Sequence, residues 1–406
     1  MQDAIERYGS VDWASTGHVG CVVDGQAKIV DEFSVSHTAG GLQALVQHFT
    51  RAGVQRVAIE RPDGPVVEAL RASGLEVVVV SSRAIKGLRT RYSLAGNKAD
   101  RTDAYVLADC LRTDGQRWAS LEPDQPQTQA LRATVRARGQ LVRTRVAMAN
   151  QLRAHLEIVF PGAVALFSGI DTLIGLRFLE RFPNSARAAW LTERRLANWL
   201  DRNSYSGQTP TAQLWQRLHR APVGLVGPAA EAQTVITRSM VKVLHSLLEQ
   251  IETLARHIRT QLASHPDGPI FQSLPRAGTV RAATLLAEIG DCRARFPSAD
   301  LLASLAGAVP STRSSGKHHV VRFRWSCDKH LRQAIVNFAE DTPRANAWAK
   351  QLYAKHRQLH KSHPHATRIV ARAWIDIIWR CWQDRVPYDP ARHGALQRVL
   401  ADGGLT

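Results

Sequence analysis

Cysteine is sparse in this chain of 406 residues: Cys21, Cys110, Cys292, Cys327 and Cys381, with no CxxC pair among them. That scatter excludes a zinc ribbon and a disulfide framework, and it fits thiols kept reduced in the cytosol. Long apolar runs are missing as well. The longest strand-like one, Val77–Val80, falls far short of the roughly 18 residues that span a bilayer. The first ten residues, MQDAIERYGS, hold no apolar signal core, so a cytoplasmic rather than a secreted protein is expected. Internal repeats and low-complexity tracts are also lacking, which excludes solenoid and disordered-tail architectures.

Acid is scarce too, though unevenly. The chain carries 53 Lys+Arg against 35 Asp+Glu, a formal net charge of +18. Residues 1–120 hold 14 of each sign, so the excess falls entirely on the remainder, 39 against 21. A neutral front end joined to a strongly basic body suggests chemistry in one part and a grip on a polyanion in the other. Hydrophobic content of 44% is ordinary for a globular protein, and the length suggests two or three domains.

The front end alternates strand and helix patterns. Ser10–Ser15, His18–Asp24 and Lys28–Ser36 read as strands, followed by a helix near 41–52, a strand 54–60, a helix 65–72, a strand 76–81 and a helix 98–112. The order predicts a mixed sheet with helices on its faces, an α/β domain over 1–120. Pro123 and Pro126 mark a break. From Gln127 to Leu156 there is no acidic residue, and an apolar stripe of Leu131, Val135, Val142, Val146, Ala149 and Leu156 is surrounded by arginines, among them Arg132, Arg136, Arg143 and Arg153. These four are the candidate nucleic-acid contacts of a helical segment, 121–265. Near its end Met240, Leu244, Leu247, Ile251, Leu254 and Ile258 are spaced as a heptad seam, which serves either a coiled coil or an internal helical hairpin. A mostly helical domain, 266–406, completes the chain.

Four carboxylates of the front end stand at informative places. Asp12 lies within the first strand, Glu60 ends the fourth at the edge where open α/β sheets bind ligands, and Asp100 and Asp103 share a face at a helix start. If they converge, they form an all-oxygen site suited to Mg²⁺. The bland account is that Asp100 and Asp103 are ordinary favourable charges in a first turn. Asp63 and Asp109 nearby read as a helix cap and an exposed helical charge.

The segments SVDWAS, VAIERPDG and GNKADRTDAYVLADCLR resemble the DEDD-class insertion-sequence transposases, a group that includes the pilin-gene invertases. The resemblance implies a ribonuclease H-like (resolvase-like) domain in which Asp12, Glu60, Asp100 and Asp103 are catalytic and hold Mg²⁺.

In the C-terminal part, SLPRAGTVRAATLLAEIGD (273–291) resembles a helix-hairpin-helix with Arg276 where the first glycine usually stands; a purely structural turn is the other reading. LAGAVPSTRSSGKHHVVRFRW follows, a polar loop with two serines before a glycine, set among Arg313, Lys317, Arg322 and Arg324. By composition such a stretch is usually only a loop. The same transposases carry an AGxxPxxxxSGK-like signature whose serine attacks DNA, and the match points to Ser315, with Ser314 the less favoured choice. Where relatives have a Lys-x-Gly-Asn type stretch before a Leu-Arg pair, this chain reads SCDKHLR (326–332). Residues 311–372 hold 13 Lys/Arg against 3 Asp/Glu, together with seven histidines, which reads as a nucleic-acid face. The Trp374, Ile377, Ile378 and Trp382 stripe reads as core, and Trp325 as an exposed aromatic.

The resemblance further implies a transposase-recombinase that works on donor and target DNA, is guided by a structured bridge RNA, and assembles as a homodimer or homotetramer with the heptad seam as a candidate interface. Two rivals stay open at this point: a structure-selective nuclease that uses the acids alone, and a non-catalytic nucleic-acid-binding protein.

Overall fold

The computed structural model describes residues 6–80, 85, 87, 92, 99–118, 120–315 and 318–403, without the side chains of Arg313 and His318. They form two compact units, Met1–Pro123 and Asp124–Thr406.

The first unit is a mixed five-stranded sheet in the order β3-β2-β1-β4-β5. β1 (Arg7–Trp13), β2 (Gly17–Asp24) and β3 (Ile29–Ser36) form an antiparallel meander, and β4 (Arg56–Ile59) and β5 (Glu76–Val79) add on in parallel. α1 (Ala39–Arg51) and α2 (Pro65–Ala72) make the crossovers, and α3 (Asp100–Asp114) follows. The expected mixed sheet and its flanking helices are therefore present. Ser81, set as a strand end, and Lys98, set as a helix start, lie outside the described residues. β4 is buried on both faces at Val57, Ala58 and Ile59, as a central parallel strand must be. One face packs with Leu45 and Phe49 of α1 and Val66 and Leu70 of α2, the other with Val106, Leu107 and Leu111 of α3.

The second unit is built on two long helices, α4 (Pro126–Val159) and α5 (Gly227–Ser264). Pro126 opens α4 at a position where no backbone donor is needed. The two run antiparallel, because Thr128 meets His265 at 2.7 Å while His155 meets Thr237 at 2.8 Å. One apolar core joins the middle of this pair to the short helices of 161–220, including Leu152, Leu156, Phe178, Leu196, Val241 and Leu244. A second joins its other end to the C-terminal helices, with Leu131, Ile258, Phe271, Leu286, Phe338, Trp374 and Trp382. The Trp374 and Trp382 side chains are fully buried, as core.

The heptad pattern in α5 is real but has a different register and partner from the one expected for an assembly interface. The buried positions are Ala230, Thr234, Thr237, Val241, Leu244, Ile251, Ala255, Ile258 and Leu262, so Leu244, Ile251 and Ile258 keep their place. Met240, Leu247 and Leu254 are only half-buried. The seam faces α4 of the same chain, the internal-hairpin alternative. Leu244→Ala is therefore expected to cost about 2–5 kcal/mol, measured by chemical denaturation, with a midpoint that does not depend on protein concentration; a concentration-dependent midpoint would point to a seam shared between chains.

Candidate active site and nucleic-acid interface

Local geometry in the first unit follows from strand alternation. Parallel pairing sets Ser10 opposite Ala58 and Val11 opposite Ile59. Asp12 and Glu60 are the next step of that register, side by side at the carboxyl edge of the two central strands. Ser10 Oγ donates to the Ala104 carbonyl at 2.5 Å, and Ala58 packs with Val106 and Leu107. Side chains two apart share a face, so Asp12 and Glu60 lie on the face that α3 covers. Asp103, in the first turn of α3, is only 1% exposed, while Asp100 at its first position is exposed. Asp12 and Glu60 thus share the face that the helix bearing buried Asp103 covers, while Asp100 is exposed. Among the described residues no group of three or more His, Cys, Asp or Glu stands close enough together to hold a metal ion. The donors are nevertheless all hard carboxylate oxygens, which is the chemistry Mg²⁺ requires.

The two neighbouring acids differ from expectation. Asp63 caps nothing: α2 has Gly64 as its N-cap with no side-chain bond, and exposed Asp63 accepts from Arg61 at 3.0 Å. Asp109 is buried, accepting from Arg112 Nε at 2.7 Å and from the Tyr92 hydroxyl at 2.5 Å, so it is an internal clamp rather than an exposed charge. Sequence reading had also passed over Arg61, whose guanidinium lies 4.2 Å over the Trp13 ring. This fixed cation follows Glu60 directly in the chain, as Trp13 follows Asp12.

In the second unit the serine segment is not an irregular loop. Ser311–Ser315 (β6) and His318–Arg322 (β7) form an antiparallel hairpin, with Ser314 opposite His319 and Ser315 opposite His318. Both serines are exposed. Being adjacent in a strand, they project to opposite faces of the ribbon. Arg322 is exposed and Arg324 half-buried beside the hairpin, its guanidinium within 3.4 Å of the Pro310 carbonyl. Lys317 and the side chain of Arg313 lie outside the described residues.

The geometry has company among known proteins. A transposase family model of the DEDD type of IS110 matches residues 10–161, which include all four acids. The model of the transposase IS116/IS110/IS902 family matches residues 268–354, which include the hairpin. The chain is 29% identical over 402 residues to the mini-circle putative transposase for IS117 of Streptomyces coelicolor, covering 96% of this chain and 97% of that one. It is 25% identical over 387 residues to the insertion element IS110 uncharacterized 43.6 kDa protein of the same organism, covering 93% and 94%. The transposase for insertion sequence element IS1328 of Yersinia enterocolitica is 25% identical over 288 residues, covering 69% of this chain and 71% of that one. The chain belongs to the IS110 family of transposases.

As a DNA transposase it needs cationic surface, and the structure revises where that surface lies. Arg132 and Arg136, expected to contact nucleic acid, are internal staples. Arg132 donates to the Ala287 carbonyl at 2.6 Å and to buried Asp124; Arg136 makes a two-pronged pair with Glu288 at 2.9 and 2.6 Å. They tie α4 to α6 (Gly278–Ile289). Only Arg143, bonded to Gln140, and Arg153 remain exposed among the four. No local acid betrayed these pairings, because the partners come from beyond the acid-free stretch.

Asp124 is the hub of this transposase's second unit. Besides Arg132 it binds Arg295 at 3.2 Å and the backbone N–H groups of Asp291 and Cys292 at 2.9 and 3.2 Å. Gly290, at φ +86°, permits that approach, since a side chain there would strike the Asp124 carboxylate. Burial pushes this carboxyl up, but the charges of Arg295 and Arg132 and the donated hydrogen bonds outweigh it and hold it below its ordinary value of 3.8. A depressed folded-state value stabilises the fold above the unfolded value and is lost as pH falls through the folded one. The wild type should therefore lose this contribution below pH 3.8, whereas Asp124→Asn should lack that component of the pH dependence. Removing the acid takes a buried carboxylate partner from both Arg132 and Arg295, and Asp124→Ala should cost about 3–5 kcal/mol at neutral pH by denaturant titration.

Proposed function

We propose that this transposase cuts and rejoins DNA strands with a serine nucleophile, Ser315, and a ribonuclease H-like acidic site made of Asp12, Glu60, Asp100 and Asp103. The observation that carries the reading is the β1–β4 register, which sets Asp12 beside Glu60 on the face covered by α3, where Asp103 is buried. The sheet order, three antiparallel strands followed by two parallel ones, also suits that fold.

The four carboxylates are the residues that would hold Mg²⁺, which supplies charge stabilisation at the attacked phosphate and at the departing oxygen. Asp12 and Glu60, on rigid neighbouring strands, define the site; Asp103 closes it from α3, and Asp100 approaches from solvent. At the hairpin, Ser315 Oγ forms a bond to phosphorus while the bond from phosphorus to one sugar oxygen breaks. The sugar oxygen leaves as a hydroxyl, taking up the proton that the serine gives up. Because the phosphodiester energy is kept in the serine ester, a strand-end hydroxyl can reverse the step and rejoin DNA. Arg313 and Lys317, neighbours of Ser315 in the sequence, would supply positive charge at the attacked phosphate, and Arg322 and Arg324, at the far end of the hairpin, would meet the DNA beyond it.

Guidance by a structured RNA fits a basic protein in which sequence reading is delegated to base pairing. In this reading the transposase works in the cytoplasm as a homodimer or homotetramer, and its chain comprises an acidic domain to about residue 120, helical linkers to 265 and a serine-bearing domain beyond.

Recombination in cells of a donor and target pair tests the reading. Wild type should give product in the presence of the element's flanking non-coding segment, and Asp12→Ala and Ser315→Ala should each abolish it. Ser315→Ala should also abolish a covalent protein–DNA adduct, whereas Ser314→Ala should keep it. Strand cleavage that survives Ser315→Ala would favour a nuclease that uses the acids alone.

A further inference from the structure

At the base of the β6–β7 hairpin, in the second unit, lies a cavity of about 700 Å³. Its apolar wall includes Val309, Pro310, Val321 and Leu352, and its cations come from the chain after β7 and from α7 (His363–Asp384). Phe323 also lines it. The guanidinium carbons of Arg332 and Arg368 lie over its ring, 4.5 and 4.8 Å from the ring centre.

Two cations on one ring repel each other unless an anion answers them. Among the described residues neither guanidinium has a carboxylate partner. Arg332 donates to the Arg324 carbonyl, yet its Nε is buried without a hydrogen-bond acceptor, and so is Arg324 Nε. Burial first, and then the charge of Arg332, pulls the Arg368 guanidinium below its ordinary value. Arg372 in the same wall shows the contrast, since Asp300 at 2.6 Å and Asp376 at 2.7 Å neutralise it. The arrangement is built rather than incidental. Gly307, at φ +62°, lies directly beneath the Arg332 guanidinium, where any side chain would collide with it.

Beside this pair stands Trp325, 80% exposed, with its ring edge-on to Phe323 at 4.9 Å between centres. An indole held out in solvent next to half-buried guanidiniums combines the two elements that bind unpaired nucleotides, a stacking face and a phosphate fork. A free phosphate would need only the fork.

We propose that this cavity, together with Arg332 and Trp325 that adjoin it through Phe323, binds one unpaired nucleotide of the DNA substrate, its phosphate taken by Arg332 and Arg368 and its base stacked on Trp325. The assignment rests on the reading of Ser315 as the residue that attacks DNA. The hairpin register runs four residue steps from Ser315–His318 to Ser311–Arg322, about 14 Å at strand rise, which is about four nucleotide steps of B-form DNA. The site would thus hold a nucleotide near the attacked phosphate without touching it, a positioning role.

The test uses the full-length protein carrying Ser315→Ala, so that binding is read without chemistry, and a short fluorescent single-stranded DNA oligonucleotide followed by anisotropy. Trp325→Ala should weaken binding about five- to a hundredfold with an unchanged melting temperature, and Trp325→Phe should restore part of the loss. Arg368→Gln should weaken binding and lower the slope of log affinity against log salt by about one. A blunt duplex of equal length should respond less to Trp325→Ala. Unchanged oligonucleotide affinity and salt slope in both variants would overturn the proposal. Equal competition by millimolar inorganic phosphate with no effect of Trp325→Ala would reduce the cavity to an anion site and overturn the nucleotide assignment. Tighter binding of an RNA oligonucleotide of the same sequence, with the same sensitivities, would overturn the choice of DNA. Recombination that survives Ser315→Ala in cells would instead sink the nucleophile assignment, leaving the binding result to stand or fall separately.

Discussion

The parallel pairing of β1 with β4 is the constraint on which the proposed acidic site depends. A register slip of one residue in either strand would turn Asp12 or Glu60 to the opposite face, among Phe49, Val66 and Leu70, where a carboxylate has no water. Two features hold the register. Val11, Val57 and Ile59 fill the α1–α2 face with no exposed surface, and the Ser10 hydroxyl is bound to the Ala104 carbonyl on the other. That hydrogen bond also sets the height of α3 against the sheet, and with it the position of Asp103. Burial and positioning are therefore one event here, since the core that stabilises the sheet also sets Asp12 beside Glu60 on the face that α3 covers.

The basic second unit shows a different use of charge. Its arginines fall into two populations that composition does not separate. Arg136, Arg145, Arg281, Arg293 and Arg295 are paired with acids drawn from other segments, and Arg132 with the nearby Asp124. Arg332 and Arg368 sit on Phe323 without such partners among the described residues. A buried acid such as Asp124 survives because two guanidiniums and two backbone donors replace its water. The cations at Phe323 have no equivalent carboxylate among the described residues, and the proposed nucleotide site rests on that contrast.

Relation to the wider family gives these features a common setting. The two family models fall on the acidic unit with its following helix and on the segment containing the serine hairpin. The structure explains short motif elements that a pattern alone leaves mute. Gly307 in LAGAVP clears the space that Arg332 occupies, and Gly290 lets the backbone close on Asp124.

Periodicity alone determined much of this protein. The period-2 runs of the front end and the 3.6-residue stripes after Pro126 specify elements locally, so the mixed sheet, α4 and α5 were legible, as were the candidate acids by their places in strands and at a helix start. What tertiary structure alone decided was partnership. Nothing in the acid-free stretch 127–156 reveals that Glu288 and Asp124 wait for Arg136 and Arg132, because ion pairs form across space rather than along the chain. The heptad spacing of α5 could not say whether its partner was α4 or a second chain, and a one-residue change in which positions face inward went unseen. The serine segment, polar and glycine-bearing, reads as a loop because hairpin pairing comes from backbone bonds between strands rather than from side-chain pattern. Asp109 looked like surface charge for the same reason: only the fold brings Tyr92 and Arg112 to it and makes its burial possible.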